Sequence, residues 1–443
     1  MDARTVVNKH FLLPFAAENR KNIGTELEFP LLNLSQKPVE KAVALGLLEH
    51  MLSRGFRIEE TDADGQPAFL LNDDGDCLSF DNSYNNFEFS MEKGTNLLSQ
   101  SERFRKLFGE VQEYLLPRGH LLCGMGTNPH YPNLEKAPVS YPVYGMVRSF
   151  LGQFSGGAYH RWPEFPAYLS SVQTHLDVPL SLLPRALTLF AAMDFIRALL
   201  FSNSPALAGE SGFGETVCFR DYLWEKSGFG SLNANVGKVE GEFRTMHDLE
   251  DLILNRSMFY RIRNGAYQLI PPVTVEEYFN APESREEDIG SYLSFQNVEI
   301  TRRGTLEIRS DCQQPVGEGF CAPAFHLGIL CELSAAEEAV YGFFDRFLPK
   351  DRISHPHRNR ILRDEVIYHY HIPAPAQEMQ RLLCILTELA QRGLAARGLG
   401  EEKLLAPLFS RAEQLTCPAK EQLKLRKNGT STEEIVRKFS NLK

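Results

Sequence analysis

Residues 22–30, NIGTELEFP, place two carboxylates two positions apart on a segment that otherwise has the pattern of a buried strand. Glu26 and Glu28 alternate with a threonine, a leucine and a phenylalanine. Because residues i and i+2 of a β-strand project from the same face, both acids point to one side and the apolar residues to the other. Two like charges about 7 Å apart on one face repel each other unless a cation lies between them. The segment therefore predicts a sheet with one apolar and one acidic face.

Three further segments repeat this arrangement of charged residues on strands. Asp81 and Glu88 flank the turn NSYNN in SFDNSYNNFEFS, Glu307 and Arg309 are two residues apart in TLEIRSD, and His175 precedes an aspartate by two residues in VQTHLDVP. Each has a structural alternative when taken alone: an acid pair facing solvent, a same-face ion pair, a core histidine. Their recurrence on four strands of one chain is what favours a shared site.

A cluster of carboxylates on one sheet face is best neutralised by divalent cations. Hard oxygen ligands suit Mg²⁺ or Mn²⁺, and Mg²⁺ usually joins one or two carboxylates to substrate phosphates. The sequence contains no GxxxxGK[ST] motif and no GxGxxG after a strand, so neither a P-loop nor a Rossmann site is supported. We therefore expect a nucleoside triphosphate site in which metals and arginines, on a sheet, hold the phosphates.

Composition narrows the class of protein further. The net charge of −10 argues against a general nucleic-acid or anionic-membrane surface, and the 43% hydrophobic and 23% charged residues are typical of a globular enzyme. No stretch of 18 uncharged apolar residues occurs and the first residues lack a signal-peptide pattern, so we expect a cytoplasmic protein. The eight cysteines form no CxxC pair and are expected to be reduced.

The order of elements predicts an α+β protein, with antiparallel strands interleaved with long helices and a helical tail. We expect one catalytic body over residues 1–330 and a mainly helical part, residues 331–443, packed on the same body. Hydrophobic periodicity predicts helices over residues 40–54, 97–116, 180–201, 322–347 and 375–398.

Seven motifs in chain order, between residue 22 and about residue 435, resemble those of one family, the glutamate–cysteine ligases of the plant and proteobacterial type. This family belongs to the glutamine-synthetase-like carboxylate–amine ligases. The motifs are IGTELEF, LSFDNSYNNFEFSMEKGTNLLSQ, LSSVQTHLDVP, LLFSNSPALAGESGFGETVCFRDYLW, MFYRIRNGAY, TRRGTLEIRSDCQQP and RGLAARGLGEEKLLAPL.

The resemblance implies a glutamine-synthetase-like fold, a curved antiparallel β-sheet with helices packed outside it and a helical C-terminal layer. It also implies an activity: ATP, with Mg²⁺ or Mn²⁺, phosphorylates the γ-carboxylate of glutamate, and the amine of cysteine displaces the phosphate. The product is γ-glutamylcysteine, made in the first step of glutathione synthesis. The expected partners are these small molecules, without nucleic acid or membrane, and the expected state is a monomer or homodimer.

The resemblance also assigns roles to individual residues. Arg220 would contact the nucleotide phosphates, and Arg309 would hold the transferred phosphoryl group or a substrate carboxylate. The metal ligands would be Glu26, Glu28, Asp81, Glu88, Glu307 and His175. The substrate-binding residues would be Asn203, Ser204, Glu210, Tyr260 and Arg261. The residues alone also allow a helix-ending turn at 203–205, and a simple contact between Arg220 and Trp224 on one helix face.

Three departures from the family pattern leave the amine acceptor open. Cys218 stands where the family usually has serine, RSDCQQP replaces Arg-Gly-Ala-Asp-Gly-Gly-Pro, and FDNSYNNFEF lacks a Pro-Gly-Gly turn. The alternatives are the same ligase chemistry with another amine acceptor or acid donor, and a non-catalytic ligand-binding relative. A phosphagen-type kinase would instead need a cysteine, such as Cys218 or Cys312, in its phosphoryl-transfer pocket.

Overall fold

A nine-stranded antiparallel sheet forms the centre of the computed structural model, which describes residues 2–18, 21–154, 156–206, 213–348 and 355–441. In these ranges the strands are β1 Ile23–Asn33, β2 Arg57–Thr61, β3 Pro67–Leu71, β4 Cys77–Phe80, β5 Asn86–Gly94, β6 His120–Leu122, β7 Ser171–Leu176, β8 Val236–Gly237, β9 Ser257–Arg263, β10 Ala266–Thr274, β11 Phe295–Gln296, β12 Val298–Ile300 and β13 Leu306–Cys312. The sheet order is β12-β13-β7-β1-β5-β4-β3-β2, with β6 paired to the end of β1. β9 and β10 form a separate hairpin, and β8 pairs with β11.

Helices cover the sheet and form most of the chain after β13. In the same ranges they are α1 Ala3–Val7, α2 Lys41–Leu52, α3 Leu97–Leu115, α4 Pro142–Leu151, α5 Leu183–Ala192, α6 Asp194–Phe201, α7 Phe219–Glu225, α8 Met246–Leu254, α9 Val275–Asn280, α10 Cys321–Cys331, α11 Leu333–Phe347, α12 His355–His369, α13 Ala376–Arg397, α14 Ala406–Gln414, α15 Pro418–Lys427 and α16 Thr432–Phe439. The α+β class and the antiparallel sheet are as predicted.

The two faces of β1 differ as the alternation of acidic and apolar residues along the strand predicts. Leu27 and Phe29 are completely buried, and the Phe29 ring stacks on Phe104 of α3 at 5.6 Å and meets the edge of Phe89 of β5 at 5.8 Å. Aromatic contacts of this kind add to the free energy gained by burying the rings. The apolar face of the sheet is therefore fixed by core packing, which forces the acids to the other face.

The helix predicted over residues 180–201 is wrong in one respect, because the chain forms two helices there. The backbone leaves helical geometry at Met193, where φ is −83° and ψ is 3°. Asp194 opens the second helix, and its buried carboxylate accepts hydrogen bonds from Asn297 at 2.6 Å and from Ser310 of β13 at 3.0 Å. The break lets α6 dock on the sheet through this buried acid, a contact that periodicity does not reveal.

The C-terminal helices pack on the body through a close crossing of α10 and α13. A Cβ atom added to Gly328 would lie 2.3 Å from the carbonyl oxygen of Ala390, and one added to Gly393 would lie 2.5 Å from the carbonyl oxygen of Gly328. Only glycines permit this approach. One apolar core includes residues from Ala3 to Ala412, on both sides of residue 330. The division at residue 330 stays a prediction.

Among the described residues, no single helix is both long and apolar enough to span a membrane. Two neighbouring segments, Val316–Cys331 and Leu333–Phe347, meet that criterion only when taken together, and they are bent by 97° to each other. By length and composition alone, this bent pair is the one candidate.

Candidate functional site

The register of four neighbouring strands brings the predicted acids to one face of the sheet. Glu28 of β1 lies opposite Glu88 of β5, and His175 of β7 lies opposite Glu307 of β13. Glu26 is paired with positions on β5 and β7, between these two sets. Because side chains directly opposite each other have Cβ atoms about 5 Å apart, acids separated by up to 281 positions become neighbours.

Glu26, His175 and Glu307 form the one group within the described ranges that could hold a metal ion. One ligand atom from each lies within 4.8 Å of the other two. The His175 Nε2 atom is 3.1 Å from Glu26 Oε1 and 3.9 Å from Glu307 Oε1, while its Nδ1 atom is 3.1 Å from the Thr305 hydroxyl. Two carboxylates and an imidazole held by a hydroxyl contact are ligand types that divalent metal ions accept.

Charges within this group are strongly coupled. Burial alone would raise the pKa of Glu26, but the hydrogen bond and charge of His175 lower it to about 2. Burial opposes the charged form of His175, yet the charges of Glu307 and Glu26 raise its pKa. Arg303 also donates to Glu26 at 3.2 Å. Glu26 is thus ionised near neutral pH, as a metal ligand must be.

The other three predicted metal ligands, Glu28, Asp81 and Glu88, lie farther along the same face. Glu28 accepts hydrogen bonds from the backbone N–H of Ser171 at 2.8 Å and from Gln173 Nε2 at 2.7 Å. Glu88 accepts one from the Ser90 hydroxyl. Within the described part of the chain, none of the three carboxylates lies within 4.0 Å of a Lys, Arg or His nitrogen. They form an acidic group with hydrogen bonds but without a cation.

Burial is the main cause that raises the pKa of all three carboxyl groups. Burial and the charge of Asp81 raise the pKa of Glu28 to about 7. Burial, followed by the charge of Glu26, raises the pKa of Glu88 well above its usual value. Burial also raises the pKa of Asp81, against a hydrogen bond from Tyr144. The group favours binding protons or cations.

The variant Glu28→Gln is expected to be more stable than the wild type at pH 8, by about 1–3 kcal/mol. The folded protein holds a proton on Glu28 up to about pH 7, whereas an unfolded glutamate loses it near pH 4.5. Wild-type stability therefore decreases as pH rises through this window, and a glutamine removes that decrease. Urea unfolding of both proteins at pH 5 and pH 8 measures the difference. An equal effect of the substitution at both pH values would contradict the prediction.

Two cavities open on the acidic face and share Glu26. Cavity I has a volume of about 390 Å³, and the charged and polar residues around it include Glu26, Lys93, His175, Asp177, Arg303 and Thr305. Cavity II has a volume of about 230 Å³, and the charged residues around it are Glu26, Glu28, Asp81, Glu88, Arg220 and Arg309. Of the group that could hold a metal, Glu26 lines both cavities and His175 lines cavity I.

Both predicted arginines line cavity II, but they differ in their contacts. Arg309 donates to Glu307, and its guanidinium carbon lies 5.9 Å from the centre of the Phe295 ring. Arg220 is 9% exposed, and its Nε atom is buried without a hydrogen-bond partner in the described structure. Trp224, one turn later on α7, also lines cavity II with an unpartnered Nε1–H. Two residues on one helix face that line cavity II thus each carry a buried donor without a hydrogen-bond partner among the described residues.

Asn203 and Ser204 are buried and are not among the residues that line either cavity. The Asn203 amide nitrogen donates to the carbonyl oxygens of Gly124 at 2.9 Å and Gln313 at 2.6 Å. The Ser204 hydroxyl accepts from the backbone N–H of Arg220 at 3.3 Å. These contacts position the chain behind cavity II, and direct substrate binding by the two residues stays a prediction. Glu210 lies outside the described residues.

Tyr260 and Arg261 lie on the β9–β10 hairpin and are also not among the residues that line the two cavities. The Tyr260 ring stacks on Tyr267 at 5.8 Å, and Arg261 Nε is 3.4 Å from the side-chain oxygen of Gln268. Their predicted contact with an amino-acid substrate therefore remains a prediction without a cavity contact to support it.

Several residues of the site were not predicted. Gln173 precedes His175 by two positions, so the same strand alternation could have indicated it. Tyr144 of α4 and Phe295 of β11 reach cavity II from elements that carry no motif. Arg303 lies in the turn before β13, and its pairing with Glu26 depends on tertiary packing alone.

Comparison with known proteins identifies the fold. No protein-family model matches the sequence, and no curated protein matches it. The structure is similar to a bifunctional glutathione synthetase from Pasteurella multocida, with a TM-score of 0.55 and 12% identity over 99% of this chain and 54% of that chain. The chain thus spans about half the length of that protein. It is also similar to a glutamate–cysteine ligase from Francisella tularensis in complex with AMP, with a TM-score of 0.52 and 11% identity over 96% of this chain and 89% of that chain. The predicted fold is therefore confirmed.

Proposed function

We propose that this protein is an ATP-dependent carboxylate–amine ligase that uses Mg²⁺ or Mn²⁺. The observation that carries the proposal is the gathering of Glu26, Glu28, Glu88, His175 and Glu307 on one face of a sheet with the fold of known ligases. A purely structural sheet face would not concentrate buried acids, because each one costs several kcal/mol of desolvation. All the predicted metal ligands are present, which is unfavourable to the non-catalytic alternative.

The nucleotide is proposed to bind in cavity I. That cavity borders the Glu26–His175–Glu307 group and contains Arg303 and Lys93, which can pair with phosphates. A divalent metal held by this group would neutralise charge on the triphosphate. The acid and the amine are proposed to bind in cavity II, so that the reacting carboxylate approaches the terminal phosphate near Glu26, the residue common to both cavities.

The side chains of the protein are proposed to assist the reaction by placing charged groups next to the reacting atoms. Arg309, held against Glu307, is proposed to stabilise the phosphoryl group as it passes to the substrate carboxylate. Arg220 is proposed to bind a carboxylate of the acid rather than the nucleotide, because it lines cavity II and not cavity I. The amine then attacks the acyl phosphate and releases phosphate. Glu28, with its raised pKa, is placed to accept the proton that the amine loses.

For the acid we propose glutamate, joined through its γ-carboxyl, on the basis of the sequence motifs. Cysteine is the acceptor that the same motifs imply, and the charges of cavity II favour another amine. A phosphagen-type kinase gains no support: Cys218 and Cys312 contact each other at 3.6 Å, and neither is among the residues that line the two cavities.

The test is an assay of the purified protein with ATP, Mg²⁺ and glutamate, to which amines are added one at a time. We expect ADP, phosphate and one condensed amide in equal amounts, and only when both the acid and the amine are present. Omitting glutamate is the control for uncoupled ATP hydrolysis. ATP binding without ADP formation for every pair of substrates would contradict the proposal.

Mg²⁺ is expected to stabilise the protein in the absence of any substrate. A ligand at 100 times its Kd adds about 2.7 kcal/mol to the free energy of unfolding, and here the metal would also relieve repulsion among buried acids. Thermal unfolding with increasing MgCl₂, matched in ionic strength with NaCl, measures this effect. We expect the rise in Tm to be largely lost in His175→Leu, which removes the nitrogen ligand and supplies no other ligand atom. An equal rise in both proteins would place the metal elsewhere.

A further inference from the structure

We propose that the amine substrate of cavity II is a primary amine with an apolar body and no carboxylate of its own, such as an alkylamine or an arylalkylamine. This inference rests on the proposed ligase function and deepens it, because it names the class of the acceptor. It follows from the charges and the apolar groups that line cavity II.

Cavity II has few cations for its number of carboxylates. Among the described residues, cavity II is lined by two guanidinium groups, Arg220 and Arg309, and by four carboxylates. Arg309 already donates to Glu307. Only Arg220 is left to pair with a substrate carboxylate.

The acid substrate takes that remaining cation. Arg220 Nε and Trp224 Nε1 are both buried without a partner and lie one turn apart on α7. The free carboxylate of the acid is expected to pair with the Arg220 guanidinium. An α-amino acid used as acceptor would bring another carboxylate into a cavity whose described lining holds four acidic side chains, and repulsion from their ionised forms opposes its binding.

The acidic group of cavity II has no cation in contact with it. Glu28, Asp81 and Glu88 have hydrogen-bond donors but no cation within 4.0 Å in the described ranges. A protonated amine supplies a positive charge and three N–H donors at this place. The acids thus attract the amine end of the acceptor. The rest of the acceptor then contacts the other residues that line cavity II.

The remaining wall of cavity II is apolar and comes from elements outside the large sheet and from the residues just before β7. We call it the apolar wall, and it consists of Val143, Val147, Leu169, Trp224, Leu293 and Phe295. The rings of Trp224 and Phe295 lie 4.5 Å apart at 28° to each other. Val143, Trp224, Leu293 and Phe295 are only partly buried, so an apolar ligand would remove their surface from water. Each methylene buried in this way is expected to raise affinity roughly fourfold.

The experiment compares acceptors in matched pairs with ATP, Mg²⁺ and glutamate held constant. The pairs are cysteine with cysteamine, leucine with isoamylamine, and phenylalanine with phenethylamine; each differs only by the carboxylate. We expect kcat/KM to be at least tenfold higher for the amine in each pair. From ethylamine to butylamine we expect a rise of roughly fourfold per methylene.

Higher kcat/KM for the amino acids would overturn this inference while leaving the proposed ligase function intact. Absence of ADP formation with every acceptor would instead overturn the proposed function, and the inference with it. The two failures are therefore distinguishable in the same set of assays.

A variant tests the apolar wall directly. Leu293→Ser is expected to flatten the dependence of kcat/KM on chain length, lowering butylamine turnover at least fivefold while ethylamine turnover changes less than twofold. Leu293→Ala, a milder change, should fall between this variant and the wild type. Leu45→Ser, at a partly buried leucine of α2 away from the cavity, is the control and should keep the wild-type dependence. An equal loss for both amines would show that Leu293 acts only through the fold, and would overturn its assignment to the acceptor site.

Discussion

Glu26→Gln is expected to lower the rate of ADP formation at least about 10³-fold, equivalent to about 4 kcal/mol of transition-state stabilisation, while the protein remains folded. Glu26 lines both cavities and contacts both His175 at 3.1 Å and Arg303 at 3.2 Å. Glutamine keeps the size of the side chain but not its charge. It therefore weakens metal binding and removes the electrostatic attraction between residue 26 and the two bases, His175 and Arg303. The expected loss of rate concerns phosphoryl transfer to the acid, a step that the reactions with all acceptors share.

The measurement is steady-state ADP formation at saturating ATP, together with thermal unfolding to show that the fold is kept. Glu59→Gln is a suitable control, because Glu59 lies on β2 of the same sheet but is exposed to solvent. It should keep wild-type activity. Activity of Glu26→Gln within tenfold of the wild type would mean that Glu26 is not a metal ligand.

Asp194→Ala is expected to lower the free energy of unfolding by about 3–5 kcal/mol. Its carboxylate is 1% exposed and forms ion pairs with Arg197 of α6 and with Arg363 of α12, the latter at 3.1 Å. Burial would raise the pKa of Asp194, but the charges of Arg363 and Arg197 hold it below its usual value. Alanine leaves two guanidinium groups buried with fewer partners, and this uncompensated burial is the main cost.

This substitution should also reduce catalysis, because the same acid supports the strand that carries Arg309. Asp194 accepts from Asn297, and the carbonyl oxygen of Asn297 accepts the backbone N–H of Arg309 at 3.0 Å. Urea unfolding and ADP formation measure the two effects. Asp251→Ala is the control, since its ion pair with Arg4 at 2.7 Å is partly exposed, and surface pairs contribute about 1 kcal/mol or less. A loss below 1 kcal/mol for Asp194→Ala would show that the buried network is not a stabilising unit.

The sequence predicted the fold class and the face on which the acids lie. Alternation is a local property: Glu28 comes two positions after Glu26, and the pleat of any strand puts them on one side. The burial of Leu27 and Phe29 confirms this reasoning. The predicted helix over residues 375–398 is found as Ala376–Arg397. The reason is similar, because the helical repeat of apolar residues within this one segment predicts it.

Local patterns could not show how the acids divide between two groups. The imidazole of His175 joins Glu26 and Glu307, whereas Glu28 faces Glu88, and this division depends on strand register across more than 100 positions. The break at Met193 was likewise missed, because it is fixed by contacts of Asp194 with distant residues.

The sequence by itself therefore determined the antiparallel sheet and its acidic face. Both follow from the repeat of apolar residues within single elements, which is two residues in a strand and about four in a helix. Only the tertiary structure decided which acids share a metal-sized group, which arginine remains free, and which apolar side chains enclose cavity II. Those relations join α4, α7 and β11 to the sheet, and side-chain contacts between such distant segments are set by packing that no short stretch of the chain contains.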